Sequence, residues 1–226
     1  MHGARRQSLE RNGVDAGEIG TMSQPVDGTV HFVRCTRLFF IQYHMSVTAA
    51  KGCFLSLILN TVVFSHGQES GPWGGKITAM ATVARDLNLR IESVDYRGMA
   101  DPGRRVEKLV QVGGELEGPL VLVGSSMGGH VAAAAAARLA PRALFLLAPA
   151  FYMPGFEEYT PQDVAAPTAI VHGWHDEVVP VENSIRWARE HKATLHVLDS
   201  GHRLEDQIGL ICILLRAFLA SLMGAA

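Results

Sequence analysis

The chain is predicted to fold as an α/β protein, with a mostly parallel six-stranded sheet and helices on both faces. Three observations carry this. Between Thr61 and Leu222, short apolar runs alternate with segments of helical period six times over. Each run is near-continuously apolar rather than alternating, as expected of strands buried on both faces. No Gly/Ser- or Pro-rich linker divides the series, and no repeat of ~20–50 residues appears in it. One domain joined by right-handed crossovers therefore follows.

Thr61–Ser65 (TVVFS) is short, apolar and β-branched, and it stops at His66-Gly67. Lys76–Asn88 reads as a helix, because Ile77, Met80, Ala81, Val83, Ala84 and Leu87 fall at helical spacing. Ile91–Tyr96 reads as a strand. Asp101–Val112 reads as a helix with Pro102 in its first turn. Pro119–Val123 is a strand that runs straight into Gly124, and Met127–Leu139 is a helix carrying the unbroken alanines Ala132–Ala137. Ala143–Leu147 and Ala169–His172 are strands, the second ending at Gly173. Val181–Glu190 is a helix, Thr194–Leu198 a strand, and Arg203–Leu222 a long terminal helix.

The first 44 residues differ in texture. Met1–Gly28 is polar, rich in Arg and Gly and without sustained periodicity. Residues 1–44 are expected to be a poorly ordered or over-extended N-terminal segment, with Met22 and Met45 as alternative starts, and residues 45–226 the folded domain. His31–Tyr43 holds enough apolar residues to add an edge strand or a short helix.

Composition narrows the function. The 226 residues are 48% apolar and 19% charged, with 20 Lys plus Arg against 22 Asp plus Glu. A near-neutral chain with no basic block is not built for nucleic acid or for an anionic membrane surface. The three cysteines, Cys35, Cys53 and Cys212, are scattered and form no CxxC or Cys/His spacing. They read as free thiols in a reducing compartment, and no metal site is expected. No uninterrupted apolar run reaches the ~18–20 residues of a membrane span. The nearest, Cys53–Phe64, is broken by Ser56, Asn60 and Thr61 and reads as core. It is also a poor signal peptide, so a cytoplasmic location is expected.

Gly124-Ser125-Ser126-Met127-Gly128 matches G-x-S-x-G at a strand-to-helix junction. A serine on such a turn is exposed, held in strained backbone and set at the positive end of a helix dipole. The glycines leave room where neighbouring backbones approach closely. Serine is a poor nucleophile without a base. Of ten histidines, His202 is the best placed: it follows the last strand in Asp199-Ser200-Gly201-His202, on the rim that Ser126 would share. His172 and His175 lie near another strand end, with His175 expected to flank the acid. His66 is expected to shape the turn after the first strand and to border the substrate pocket. His130 reads as structural, and His191 and His196 as a helix end and a strand residue. A carboxylate must orient the base; Asp176 or Glu177 can serve, with Asp199 a lesser alternative. The oxyanion formed on attack needs preorganised donors. The Met127 amide is one, and Gly67 permits a turn that aims the Gln68 amide as the other.

These features together resemble the α/β-hydrolase superfamily. VLVGSSMGG is similar to its nucleophile elbow, VHGWHDEVVP to its acid loop, SGH to its histidine loop and SHG to its first oxyanion segment. The resemblance covers roughly Thr61–Leu222 and is nearest to the small esterase/thioesterase-like branch. It implies the chain order Ser126, Asp176, His202, and so selects Asp176 as the acid. It implies that superfamily's fold and serine-hydrolase mechanism without fixing the substrate; the leading expectation is hydrolysis of a small-molecule carboxylic ester or thioester with no cofactor. The six strands fall short of the two leading antiparallel strands usual in that superfamily, and the cap is minimal. Ala150–Pro167 brings Phe151, Tyr152 and Met153, with Phe156 and Tyr159, either to line an acyl pocket or simply to cover the sheet end. Transfer of the acyl group to an acceptor other than water and a non-catalytic binding role are the alternatives. A dinucleotide site is excluded, because no GxGxxG follows the first strand.

Overall fold

A computed structural model describes residues 61–223. The expectations for residues 1–44, for His31–Tyr43 and for the start of Cys53–Phe64 lie outside the described residues.

Six strands, β1 (Thr61–Ser65), β2 (Arg90–Val94), β3 (Leu120–Ser125), β4 (Ala143–Leu147), β5 (Thr168–Gly173) and β6 (Thr194–Leu198), form one sheet in the order β2-β1-β3-β4-β5-β6. Every pairing is parallel. Five helices connect and flank them: α1 (Gly75–Asp86), α2 (Pro102–Gly114), α3 (Met127–Leu139), α4 (Val181–His191) and α5 (Ile208–Met223). The chain runs from β1 outward to β2, then returns across β1 to β3 and continues the other way. The order therefore reverses at β1, and a crevice opens there beyond the C-terminal strand ends.

Alternate strand residues build two cores. Val62, Phe64, Val123, Phe145 and Val171 face α1 and α5, where Met80, Ala84, Ile211, Leu215 and Leu219 close the layer. Val63, Leu122, Leu144, Leu146 and Ile170 face α2, α3 and α4, meeting Leu109, the α3 alanines and Trp187. The small Ala132, Ala133, Ala135 and Ala136 are all buried and let α3 lie close to the sheet. Helix α2 starts where its cap chemistry dictates: the Asp101 carboxylate accepts the Arg104 amide at 2.7 Å, and Pro102 occupies the first turn.

One expectation needs correction. The strands are not uniformly apolar: β2 and β6, at the sheet edges, carry Glu92 and His196 and are half-exposed, because an edge strand has solvent on one side. A further feature concerns apolar length. Glu205–Met223, a 19-residue helical stretch with an 18-residue window of mean hydropathy 1.7, is long and apolar enough to cross a membrane. Asp206 and Arg216 interrupt it, so it is not an unbroken apolar run. In the fold, its Ile211, Leu215 and Leu219 are buried on the sheet, while Leu210, Ile213 and Met223 face outward. The cap is minimal as expected. Between β4 and β5 the only regular structure is the three-residue 3-10 turn Glu157–Tyr159.

Candidate active site

The strand β3 delivers Ser126 onto a turn so tight that two backbones touch. A Cβ on Gly124 would stand 2.4 Å from the Gly128 carbonyl oxygen, and one on Gly128 only 2.0 Å from the Ser65 carbonyl oxygen. Only glycine fits either position. Ser126 itself sits at φ 55°, ψ −123°, a conformation L-residues avoid. Backbone bonds hold it there. The Ser126 amide donates to Leu147 O at 2.8 Å, and Ser126 O accepts from Gly129 and Ala150.

His202 lies 3.0 Å from the Ser126 hydroxyl through Nε2, and 2.7 Å from Asp176 Oδ2 through Nδ1. A carboxylate accepts only, so Nδ1 carries the proton and Nε2 is left to accept from Ser126 Oγ. The row is sheltered: the His202 side chain is 19% exposed and that of Asp176 is fully buried. The loop carrying His202 is locked to the loop carrying Asp176. Trp174 N–H donates to Leu198 O and His175 N–H to Ser200 O, and a Cβ on Gly173 would meet Ser200 O at 2.3 Å.

Asp176 is held by three hydrogen-bond donors and a fourth N–H close by. Its Oδ1 accepts the Val178 and Val179 amides at 2.9 and 2.8 Å. Its Oδ2 accepts His202 and lies 3.0 Å from His172 Nε2. Burial alone would raise the carboxyl pKa; the His172 and His202 rings, with the two amides, outweigh it and hold the group well below the usual carboxylate range. His172 is fully buried, and its Nε2 faces two acceptors, Asp176 and Val179 O, while its Nδ1 meets Ser184 Oγ at 2.7 Å. Nε2 thus bears the proton, and Nδ1 accepts from the serine hydroxyl.

The histidine that flanks the acid is therefore His172, not His175. His175 is exposed and pairs at 2.9 Å with Asp199, which is equally exposed. That pairing removes Asp199 as an alternative acid, and Glu177 faces solvent. The i, i+4 spacing of His172 and Asp176 across a strand end was the available signal; a fully apolar strand interior hid it.

On the other side of Ser126, β1 ends in His66-Gly67. A Cβ on Gly67 would lie 3.5 Å from the Ser126 Cβ, so the backbone passes directly beside the serine. Among the described residues, neither the Gln68 nor the Met127 amide donates to a protein acceptor. His66 shapes this turn and, as expected, also borders the cavity over Ser126: it is fully buried, Nδ1–H donates to Gly67 O at 2.7 Å and Nε2 accepts the Tyr96 amide at 2.9 Å. Burial pushes its pKa down, keeping it neutral. Arg105, also buried, braces the same turn by donating to His66 O and Met99 O.

A cavity of about 460 Å³ opens over Ser126 and His202, walled by the Gln68–Gly71 loop, the start of α1 with Lys76, and Val178. Phe151, Tyr152 and Met153 do not line it, which corrects their assignment to the pocket. Phe151 is fully buried and stacks on Trp187 at 4.9 Å, the Tyr152 hydroxyl bonds Glu190, and Met153 is half-buried behind them. The β4–β5 segment descends on the α4 side of the sheet, whereas the cavity opens on the α1 side. Among the described residues no cluster of His, Cys, Asp or Glu could hold a metal ion.

The profile of the alpha/beta hydrolase family matches residues 62–216, taking in the elbow, the acid loop and the histidine loop. The chain belongs to the alpha/beta hydrolase family. A solved structure of an alpha/beta-superfamily hydrolase from Xanthomonas campestris pv. campestris is 33% identical, covering 72% of this chain and 98% of that one at a TM-score of 0.66. Est1E from Butyrivibrio proteoclasticus shares the fold at 18% identity, over 74% of this chain and 88% of its own, with a TM-score of 0.60. An alpha-beta serine hydrolase homologue from Coxiella burnetii does so at 22% identity, over 71% and 85%, with a TM-score of 0.59. No curated protein matches the sequence. As a member of this family, the chain is a hydrolase.

Proposed function

We propose that this alpha/beta hydrolase cleaves carboxylic esters or thioesters of small molecules through an acyl-enzyme on Ser126. The observation that carries the reading is the hydrogen-bonded row Ser126–His202–Asp176, opening onto a cavity beside the Met127 and Gln68 amides, which donate to no acceptor among the described residues. His202 Nε2 takes the hydroxyl proton as Ser126 Oγ attacks the carbonyl carbon. Asp176 holds the imidazole in the tautomer this requires and stabilises the imidazolium. The Met127 and Gln68 amides receive the oxyanion, each such donor contributing about 10²–10³ in rate. The protonated His202 then donates to the departing alcohol or thiol. Water, deprotonated by the same nitrogen, attacks the acyl-enzyme and releases the acid.

The test is covalent labelling with a fluorophosphonate probe beside hydrolysis of an acyl-length panel of chromogenic esters and acyl-thioesters. The wild-type protein is expected to label at Ser126 and to hydrolyse members of the panel. Ser126→Ala is expected to lose both. Labelling of another serine, or hydrolysis that survives Ser126→Ala, overturns the assignment.

A further inference from the structure

The cavity over Ser126 contains a cation that the mechanism does not use. Lys76, in the first turn of α1, is half-buried, and its ammonium donates to Ser125 Oγ at 3.2 Å, one residue before the nucleophile. Ser125 and Ser126 both line the cavity with it, and their Cα atoms are ~3.8 Å apart. The ammonium is thus anchored next to the place where the scissile carbonyl must lie.

Glu69 and Glu205 line the same cavity, but among the described residues no carboxylate pairs with this charge. Those that act on Lys76 most are Glu205 and Asp176. Glu205 is already paired with Arg203 at 2.8 Å, and Asp176 is enclosed by its two imidazoles and two amides. Lys76 has no salt bridge among the described residues, and its one polar side-chain partner is a neutral hydroxyl. Partial desolvation of an unpaired ammonium is unfavourable, and it turns favourable when an anion arrives with its own hydrogen-bonding capacity. The backbone adds charge of the same sign. Gly74 caps α1 without a side-chain acceptor, and the first turn holds no acidic residue, so the positive helix end facing the cavity is uncompensated.

Resting on the hydrolase reading above, we infer that Lys76 is a specificity-determining residue: it receives a carboxylate of the substrate, so that the preferred ester is an anionic one. A monoester of a small dicarboxylic acid places that carboxylate on the acyl side. An ester of a carboxylate-bearing alcohol places it on the leaving group.

Two matched pairs of esters distinguish these sources and test the inference. Mono-p-nitrophenyl glutarate against p-nitrophenyl valerate carries the charge on the acyl side. p-Carboxyphenyl butyrate against p-methylphenyl butyrate carries it on the leaving group. The readout is the ratio of kcat/KM, charged over neutral, within each pair. The wild type is expected to favour the charged ester in one pair. Lys76→Met is expected to lower that ratio by about 10-fold or more, and Lys76→Arg to retain most of it. The corresponding amides, titrated calorimetrically into Ser126→Ala protein, read the same preference without turnover. A ratio that Lys76→Met leaves unchanged, or no preference for charge in either pair or in amide binding, overturns the inference. Failure to cleave any of the four esters counts against the hydrolase reading alone, and the amide titration then decides the subsite.

Discussion

One methyl group, added at the same position in two helices, should have opposite effects. Gly128 and Gly209 are each the second residue of their helix, α3 and α5. A Cβ on Gly209 meets nothing within 4 Å, so Gly209→Ala removes only the backbone entropy that glycine brings to the unfolded chain. That should stabilise by about 0.5–1 kcal/mol and raise Tm by about 1–4 °C for a chain of this size. A Cβ on Gly128 would lie 2.0 Å from Ser65 O and 2.6 Å from His66 O, where ordinary contact begins near 3.4 Å. Relief requires a displacement of about 1.4 Å between α3 and the end of β1. Neither can yield cheaply, since Ser65 is in register with Val94 on one side and Gly124 on the other. Gly128→Ala should therefore cost about 3 kcal/mol, the upper end for overpacking, and lower Tm by about 6–12 °C. The assay is urea and thermal unfolding followed by far-UV circular dichroism, with fluorophosphonate labelling in parallel. Because the same displacement moves Gly67 and Gln68 away from Ser126, labelling of Gly128→Ala should slow even under native conditions. A Gly128→Ala protein as stable as the wild type, or a shift of the same sign in both variants, would refute the packing argument.

Three further variants test the site and its surroundings. Asp176→Asn leaves two imidazole N–H groups facing an amide that can present only one acceptor oxygen. Ester hydrolysis in steady-state assays should then fall by about 10³–10⁴. The same variant should lose part of the acid-side slope of stability. A depressed carboxylate contributes fully above its unfolded pKa of about 3.9, and the contribution drains away as pH falls through that value toward the folded one. Unfolding midpoints across that range check it. His66, buried neutral with a lowered pKa, stabilises fully above the unfolded histidine pKa of about 6.5 and progressively less below it. His66→Gln, which keeps an acceptor near the Tyr96 amide, should flatten the stability profile below pH ~6.5; an unchanged slope would mean that His66 does not titrate as argued. Phe151→Ala should cost about 3–5 kcal/mol in urea unfolding yet leave the acyl-length profile untouched, since Phe151 packs on Trp187 and not on the cavity.

What was legible in the sequence and what was not divide along a physical line. Strand and helix identities were readable because burial on both faces of a parallel sheet leaves an apolar run, and Thr61–Ser65, Ala143–Leu147 and Met127–Leu139 fall where that run or its helical period places them. Ser126, His202 and the Asp176-Glu177 pair were readable because each follows a strand end, and parallel strands bring all such ends to one rim; the choice of Asp176 over Glu177 took the family resemblance. Three kinds of residue escaped. His172 lies within a strand, and only the register of β5 against the acid loop turns a core position into a donor to Asp176. Lys76 reads as the solvated face of a helix until the β1 turn swings the start of α1 against Ser125. Phe151 and Tyr152 look like pocket aromatics, but which side of the sheet a connecting segment descends is set by the partner it finds. The indole of Trp187 and the Glu190 carboxylate draw this segment away from the cavity. In each case the missing information is a long-range contact between residues that share no local pattern. Composition and periodicity can therefore locate the rim but not the inward-facing groups that tune it, and it is those groups, Lys76 above all, that would decide which ester the site prefers.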